Sequence, residues 1–215
     1  MPVAAPPPAA AERTADAILD AAEPLFARLG YARTTIKAIG AAARLNPALL
    51  YYYFDDKDGL YRAVLRRRIR QLAAHGGALL ADAPTPHDAI RRFAAAYMDF
   101  MLRHPTLPRL VAREMIDHDA AHAVAEVRTT VAAMFERLAD VIRAGQASGA
   151  FRRGVDPART ALSLVSPLIW ALVARPAAGI LLTGGRRELS DAALRTFAAH
   201  TAELTLAALA PRPER

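Results

Sequence analysis

Cysteine is absent from all 215 residues. That excludes both a disulfide framework and a thiolate metal site. No apolar stretch approaches the run of about 20 residues that a membrane-spanning helix needs, so no membrane partner is expected. The first residues, Met1-Pro2-Val3-Ala4-Ala5-Pro6-Pro7-Pro8, have no basic start and lead into prolines rather than an apolar signal core. They predict a disordered tail over 1–12 and, by default, a cytoplasmic protein. Strand-type alternation is nearly missing. So are the constellations that carry catalysis: no Ser-His-Asp arrangement, glycine-rich phosphate loop or zinc-hydrolase spacing is visible. Gly145 and Gly149 follow no strand and make no nucleotide fingerprint. No catalytic residue, no cofactor and no enzymatic activity are therefore expected.

The chain is instead rich in alanine and arginine. Hydrophobic residues make up 53% of it, but much of that is alanine, which favours helix and permits close helix packing. An all-α protein follows, long enough for a substantial core in one domain or two. The formal charge of +7 and pI near 10.3 suit a polyanionic partner. Residues 1–75 carry a net +4 and the remaining 140 residues +3, so the positive charge is denser near the N-terminus. A solvated arginine-rich surface accounts for much of it equally well.

The stretch from Thr34 to Tyr61 organises the rest. Thr35 suits the cap of one short helix with Ile36 and Ile39 on its buried side, and Asn46 with Pro47 suits the start of a second. Asp56 then caps a longer helix bearing Leu60, Val64 and Leu65 on one side. Two short helices joined this closely are either a helix-turn-helix, whose second member enters a major groove, or a structural helical hairpin. The exposed part of the second helix, Pro47, Ala48, Leu49 and Tyr52, would reach base edges. Leu50 and Phe54 are core candidates, and Lys37 and Arg44 are candidate phosphate contacts from charge and position.

These residues resemble the DNA-binding head of the TetR/AcrR family of bacterial transcription regulators. The resemblance begins in Ile18-Leu19-Asp20-Ala21-Ala22-Glu23-Pro24-Leu25-Phe26-Ala27-Arg28-Leu29-Gly30-Tyr31. It continues through Thr34-Thr35, the aromatic run Leu50-Tyr51-Tyr52-Tyr53-Phe54, and Lys57 with Leu60. It covers roughly the first third of the chain. Arg44 stands where the family often has glycine, Asp55 where a basic residue is common, and Pro47, Ala48 and Leu49 replace the usual lysine, glycine and threonine. These departures bear on which DNA is read and how tightly. The resemblance implies that Thr35, Tyr53 and Lys57 contact the sugar-phosphate backbone. It also implies a dimeric regulator, a repressor, on double-stranded DNA with a near-palindromic operator. The opposing reading is a helical structural or interaction module that keeps the fold without specific DNA binding.

The domain boundaries expected are a head over 13–60 and a helical effector-binding and dimerisation body over 61–211. The helix from Lys57 carries Arg62, Arg66, Arg67, Arg68 and Arg70, read as a connecting helix rather than a phosphate-binding one, and Gly76-Gly77 weakens it. Further helices are expected over about 88–103, to about Ile116, over 120–147, from Asp156-Pro157 with a kink or opening at Pro167, and over 189–209. The resemblance implies a body pocket for a small apolar or amphipathic effector. Candidate lining residues are Phe93, Tyr97, Met101 and Met115, then Met134, Phe135, Leu138 and Trp170, with Arg109, Arg113 and His118 as polar anchors. It further implies that the last two long helices pair with those of a second copy, through Leu162, Val165 and Ile169 on one and Leu194, Phe197, Thr201 and Leu204 on the other. Independently, alanine-lined faces permit the close approach such a bundle requires. Glu114, His118 and His122 have i, i+4, i+8 spacing, but turn signals around Asp117–Asp119 predict a broken helix there, and no metal site is expected.

Overall fold

A computed structural model describes residues 8–81, 83–123, 125, 127–184 and 188–211. Among the described residues all regular structure is helical, in ten α-helices and one π-helical segment: α1 (Pro8–Arg33), α2 (Ile36–Ala43), α3 (Pro47–Phe54), α4 (Lys57–Ala81), α5 (Pro86–Arg103), α6 (Thr106–His118), the π-helical Val127–Val131, α7 (Ala132–Ala147), α8 (Pro157–Val173), α9 (Arg175–Thr183) and α10 (Asp191–Leu209). They form two compact units, one of residues 1–68 with 109–124, the other of 69–108 with 125–215. The expected head–body boundary at 60/61 falls within α4. α4 is continuous through both sides of it, and the C-terminal part of α6 belongs with the first unit.

In the first unit, α1 begins within the stretch expected to be tail and breaks at Gly30, whose φ of 79° and ψ of 168° no helix accommodates. Ile18, Ala22 and Phe26 of α1 are buried, as are Ile39 of α2, Leu50 of α3, and Leu60, Tyr61, Val64 and Leu65 of α4. Phe26 meets Tyr61 edge-on at 4.9 Å. Glu23 is buried among these apolar groups, and arginines of α4 neutralise it: Arg68 Nε lies 2.7 Å from Glu23 Oε2, and Arg67 Nη2 reaches Glu23 at 3.4 Å and Asp20 at 2.8 Å. Arg62 pairs with Asp58 at 2.7 Å. Three of the α4 arginines are thus engaged with carboxylates of the protein itself. Arg113 of α6 donates to the carbonyls of Ala27 and Arg28, groups that the end of a helix leaves without intrahelical partners. It is a helix-end clasp, not the ligand anchor the sequence suggested.

In the second unit, α5, α7, α8 and α10 pack around one core. α5 is amphipathic, burying Ile90, Phe93, Ala94, Tyr97, Met98 and Met101. Small residues let the partners approach: Ala161 and Ala171 on α8, Ala198 and Ala202 on α10, all buried. Arg91–Glu203 and Arg195–Asp99 pairs at 2.6 and 2.7 Å join α5 and α10 at the surface. Gly76-Gly77 does not end α4, which runs on to Ala81. The bend expected at Pro167 falls instead at Ala174, where α8 and α9 turn by 96°. No single described helix is long and apolar enough to cross a membrane. The helix expected over 120–147 also differs. Asp119 and Ala120 adopt positive φ of 49° and 63° and turn the chain. The segment Val127 to Val131, β-branched at every position but Arg128, is then π-helical before α7 starts, in keeping with the crowding such side chains impose on an α-helix.

Candidate nucleic-acid interface

Local chemistry fixes the two short helices. The Thr35 hydroxyl accepts from Ala38 N at 3.1 Å and the Asn46 carboxamide from Ala48 N at 2.9 Å, each satisfying a helix-start N–H. Pro47 occupies the first turn of α3, where its missing N–H leaves no bond unmade. Between them Arg44 takes the left-handed conformation, φ 57° and ψ 37°, and its N–H closes α2 onto Ala41. Glycine would hold this position at lower cost, since the left-handed region costs an L-residue about 1 kcal/mol. The turn is tight: a Cβ on Gly40 would sit 3.0 Å from the Leu45 carbonyl oxygen and 3.2 Å from the Pro47 ring. After α3, Asp56 accepts from Gly59 N at 2.6 Å and caps α4.

This framework decides which side of α3 is free. Leu50 is buried and Tyr53 and Phe54 are half-buried, whereas Pro47, Ala48, Tyr51 and Tyr52 are exposed and Leu49 sits on the flank. The outward set thus contains Tyr51, 53% exposed, which the sequence reading passed over as one more member of an aromatic run. The i, i+3, i+4 relation of Ala48, Tyr51 and Tyr52 was the available signal. α3 carries no charged residue. Charge lies beside it, on exposed Lys37 and Arg44. Lys57 is half-buried; its amine donates to the Tyr31 carbonyl at 3.1 Å and rests 4.2 Å from the centre of the Tyr31 ring. An ammonium has three donors, so that bond leaves others for a phosphate.

The profile described as bacterial regulatory proteins, tetR family, matches residues 18–64, which hold this whole arrangement. A second, described as tetracyclin repressor-like, C-terminal domain, matches residues 86–204, more than half of the chain. The chain belongs to the TetR family. It is a DNA-binding regulator of transcription. The HTH-type transcriptional repressor NicS of Pseudomonas putida is 33% identical over 144 residues, 66% of this chain and 68% of that one. The repressor SCO4008 of Streptomyces coelicolor is 29% identical over 81% of this chain and 86% of its own. In fold, the chain matches the fatty acid degradation regulator FadR of Bacillus halodurans with a TM-score of 0.74 at 14% identity, over 93% of this chain and 97% of that one.

For this TetR-family member, the candidate effector residues divide. Phe93, Tyr97, Met101, Met134 and Leu138 are buried on α5 and α7, which pack together, and Phe135 is half-buried. Met115 and Trp170 do not join them. Met115 of α6 is 45% exposed, and Trp170 lies on the exposed stripe of α8. The candidate dimer residues divide too. Val165, Leu194 and Thr201 are buried within the subunit's own core, while Leu162 and Leu204 are exposed and Ile169 and Phe197 are intermediate. Both lists were drawn from apolar stripes broad enough to span an inner and an outer face. Between α8 and α10 the outer face holds a groove of about 540 Å³, lined by residues including Ser163, Pro167, Phe197, His200, Leu204 and Ala208.

Proposed function

We propose that the protein is a homodimeric repressor whose paired α3 helices read the two halves of a near-palindromic operator. The observation that carries this reading is the uncharged outward face of α3, Pro47, Ala48, Tyr51 and Tyr52, with cations only at its flanks. Apolar Pro47 and Ala48 suit thymine methyl groups, and the tyrosines offer hydroxyls to base edges. Thr35, Lys37, Arg44, Tyr53 and Lys57 take the phosphates and fix register. The repressor names of the Pseudomonas and Streptomyces relatives support the sign of regulation. A second copy covers the outer faces of α8 and α10, where Leu162, Trp170 and Leu204 are each about half-exposed; a two-fold contact needs only such a self-complementary patch.

The regulating ligand is a small apolar or amphipathic molecule taken up between α5 and α7. Phe93, Tyr97, Met101, Met134 and Leu138 pack there as core, so the ligand-bearing state has to displace them. The thioethers of Met101 and Met134 are the side chains best suited to give way. A difference in ligand affinity between the two states of about 1–3 kcal/mol changes operator affinity by roughly 5–150-fold.

The experiment is an unbiased operator selection followed by titrations of operator and random duplexes. Tyr51→Ala and Tyr52→Ala should erase most of the preference for operator. Lys37→Ala should weaken both duplexes alike and lower the salt slope by about one unit. Tyrosine variants that lose affinity equally for both duplexes would overturn the assignment of α3 to base edges.

A further inference from the structure

At the end of α6, three side chains outside the proposed DNA contacts converge. Glu114 is buried, and no lysine or arginine among the described residues pairs with it. His118 is the last residue of α6. The positive-φ pair Asp119 and Ala120 then folds the chain back, so that Ala120 N bonds the Glu114 carbonyl and Ala121 N bonds that of His118. His122 is returned to Glu114: its backbone N–H donates to Glu114 Oε1 at 2.7 Å, and its ring Nδ1 lies 3.2 Å from Oε2. The turn expected to disperse the trio brings it together. One ligand atom from each of Glu114, His118 and His122 lies within 4.8 Å of the other two.

We propose that Glu114, His118 and His122 bind one divalent transition-metal ion of the zinc class. Two imidazoles and a carboxylate are a donor set suited to zinc, whereas magnesium and calcium take oxygen ligands. The far side of His122 supplies an independent observation. Its Nε2 lies 2.8 Å from Asp58 Oδ1. A carboxylate behind the distal nitrogen is what orients a metal-binding imidazole and raises its basicity. Both ring nitrogens of His122 face carboxylate oxygens, so the ring is held between Glu114 on the ligand side and the orienting Asp58 on the other.

The surroundings favour a held ion over a solvated one. Tyr31 and Tyr61 flank both imidazoles, with ring centres 5.2 and 5.1 Å from His122 and 5.5 and 6.2 Å from His118. Arg62 neutralises part of the Asp58 charge, which leaves Asp58 an orienting partner rather than a fourth ligand. Ligands held at about 2.0–2.1 Å around a tetrahedral zinc lie about 3.3 Å apart. Closing the widest pair from the separation seen here takes on the order of 1.5 Å of movement, within reach of rotation about the side-chain bonds of His118 and Glu114.

The test uses the full chain without a polyhistidine tag, stripped with a chelator and titrated with zinc against a chromophoric competitor, in the absence of DNA. Cobalt substitution provides a visible-absorption readout of coordination. Expected are one ion per chain, cobalt ligand-field bands, and loss of both in His118→Ala, a half-buried helix-end position whose truncation the fold tolerates. Asp58→Asn, which alters the orienting partner without touching a ligand, should weaken zinc by about 10–100-fold. No stoichiometric binding at micromolar zinc would overturn the proposal. So would a folded His118→Ala variant that keeps the wild-type affinity and cobalt spectrum.

Discussion

Single atoms decide several features of the head. A Cβ on Gly59 would lie 2.3 Å from the Phe54 carbonyl oxygen. Alanine gains up to about 1 kcal/mol of helix propensity over glycine, but here the obstacle is backbone, which cannot rotate away. Gly59→Ala should therefore destabilise the protein by about 1–3 kcal/mol, measurable as a lower midpoint in urea with unchanged slope. Two phenols make a second case. Burial, with the Glu114 carboxylate beside it, pushes Tyr61 up, and burial alone pushes Tyr97 up, from the ordinary value of 10.0. Both stay protonated in the folded protein where the unfolded chain ionises. Their stabilisation is complete below pH 10 and is lost as pH rises past it toward the folded values. For Tyr97 the loss is about 1.4 kcal/mol per pH unit. Denaturation midpoints followed from pH 9 to 11.5 should fall, and fall less steeply in Tyr97→Phe.

At the scale of the element, caps were the legible part of the sequence. Thr35, Asn46, Asp56 and Asp156 each announce a helix start through a short-range hydrogen bond, and each makes that bond. Asn46→Ala should accordingly cost about 1 kcal/mol. Because α3 has only eight residues, the loss should appear as faster amide exchange there before it appears in global unfolding. What could not be read was orientation. On α3, which is apolar along its whole length, Leu50 was legible as core, but exposed Tyr51 was hidden in the aromatic run. On α8, Leu164 and Val165 face inward while Leu162 and Trp170 face outward, yet all four are large and apolar. The break near Asp119 was legible, but not the return of the chain onto α6 that follows it. Positive φ at Asp119 and Ala120 is sustained by bonds to Glu114 and His118, contacts that no residue-by-residue propensity contains.

For the whole molecule, α4 runs without a break past the head–body boundary expected at 60/61. The proposed pairing of two chains makes a prediction at this scale. Leu204 is 58% exposed, so a charge there should leave the subunit's own stability within about 0.5 kcal/mol of wild type. In a desolvated contact between copies, an unpaired carboxylate is costly. Leu204→Glu should sediment as a folded monomer at micromolar concentration, with operator affinity falling as avidity is lost. A soluble Leu204→Glu dimer would move the contact off this face.

The absence of charge on α3 has a kinetic meaning. In the proposed interface, attraction to any stretch of DNA would arise from the flanking cations and release counterions, whereas discrimination would rest on tyrosine, alanine and proline, which release none. Scanning and choosing are then separate physical processes. Adding salt should shorten the protein's residence on random sequence and on its operator in the same proportion. The ratio of the two affinities, measured from 50 to 200 mM salt, should stay nearly flat while both fall together.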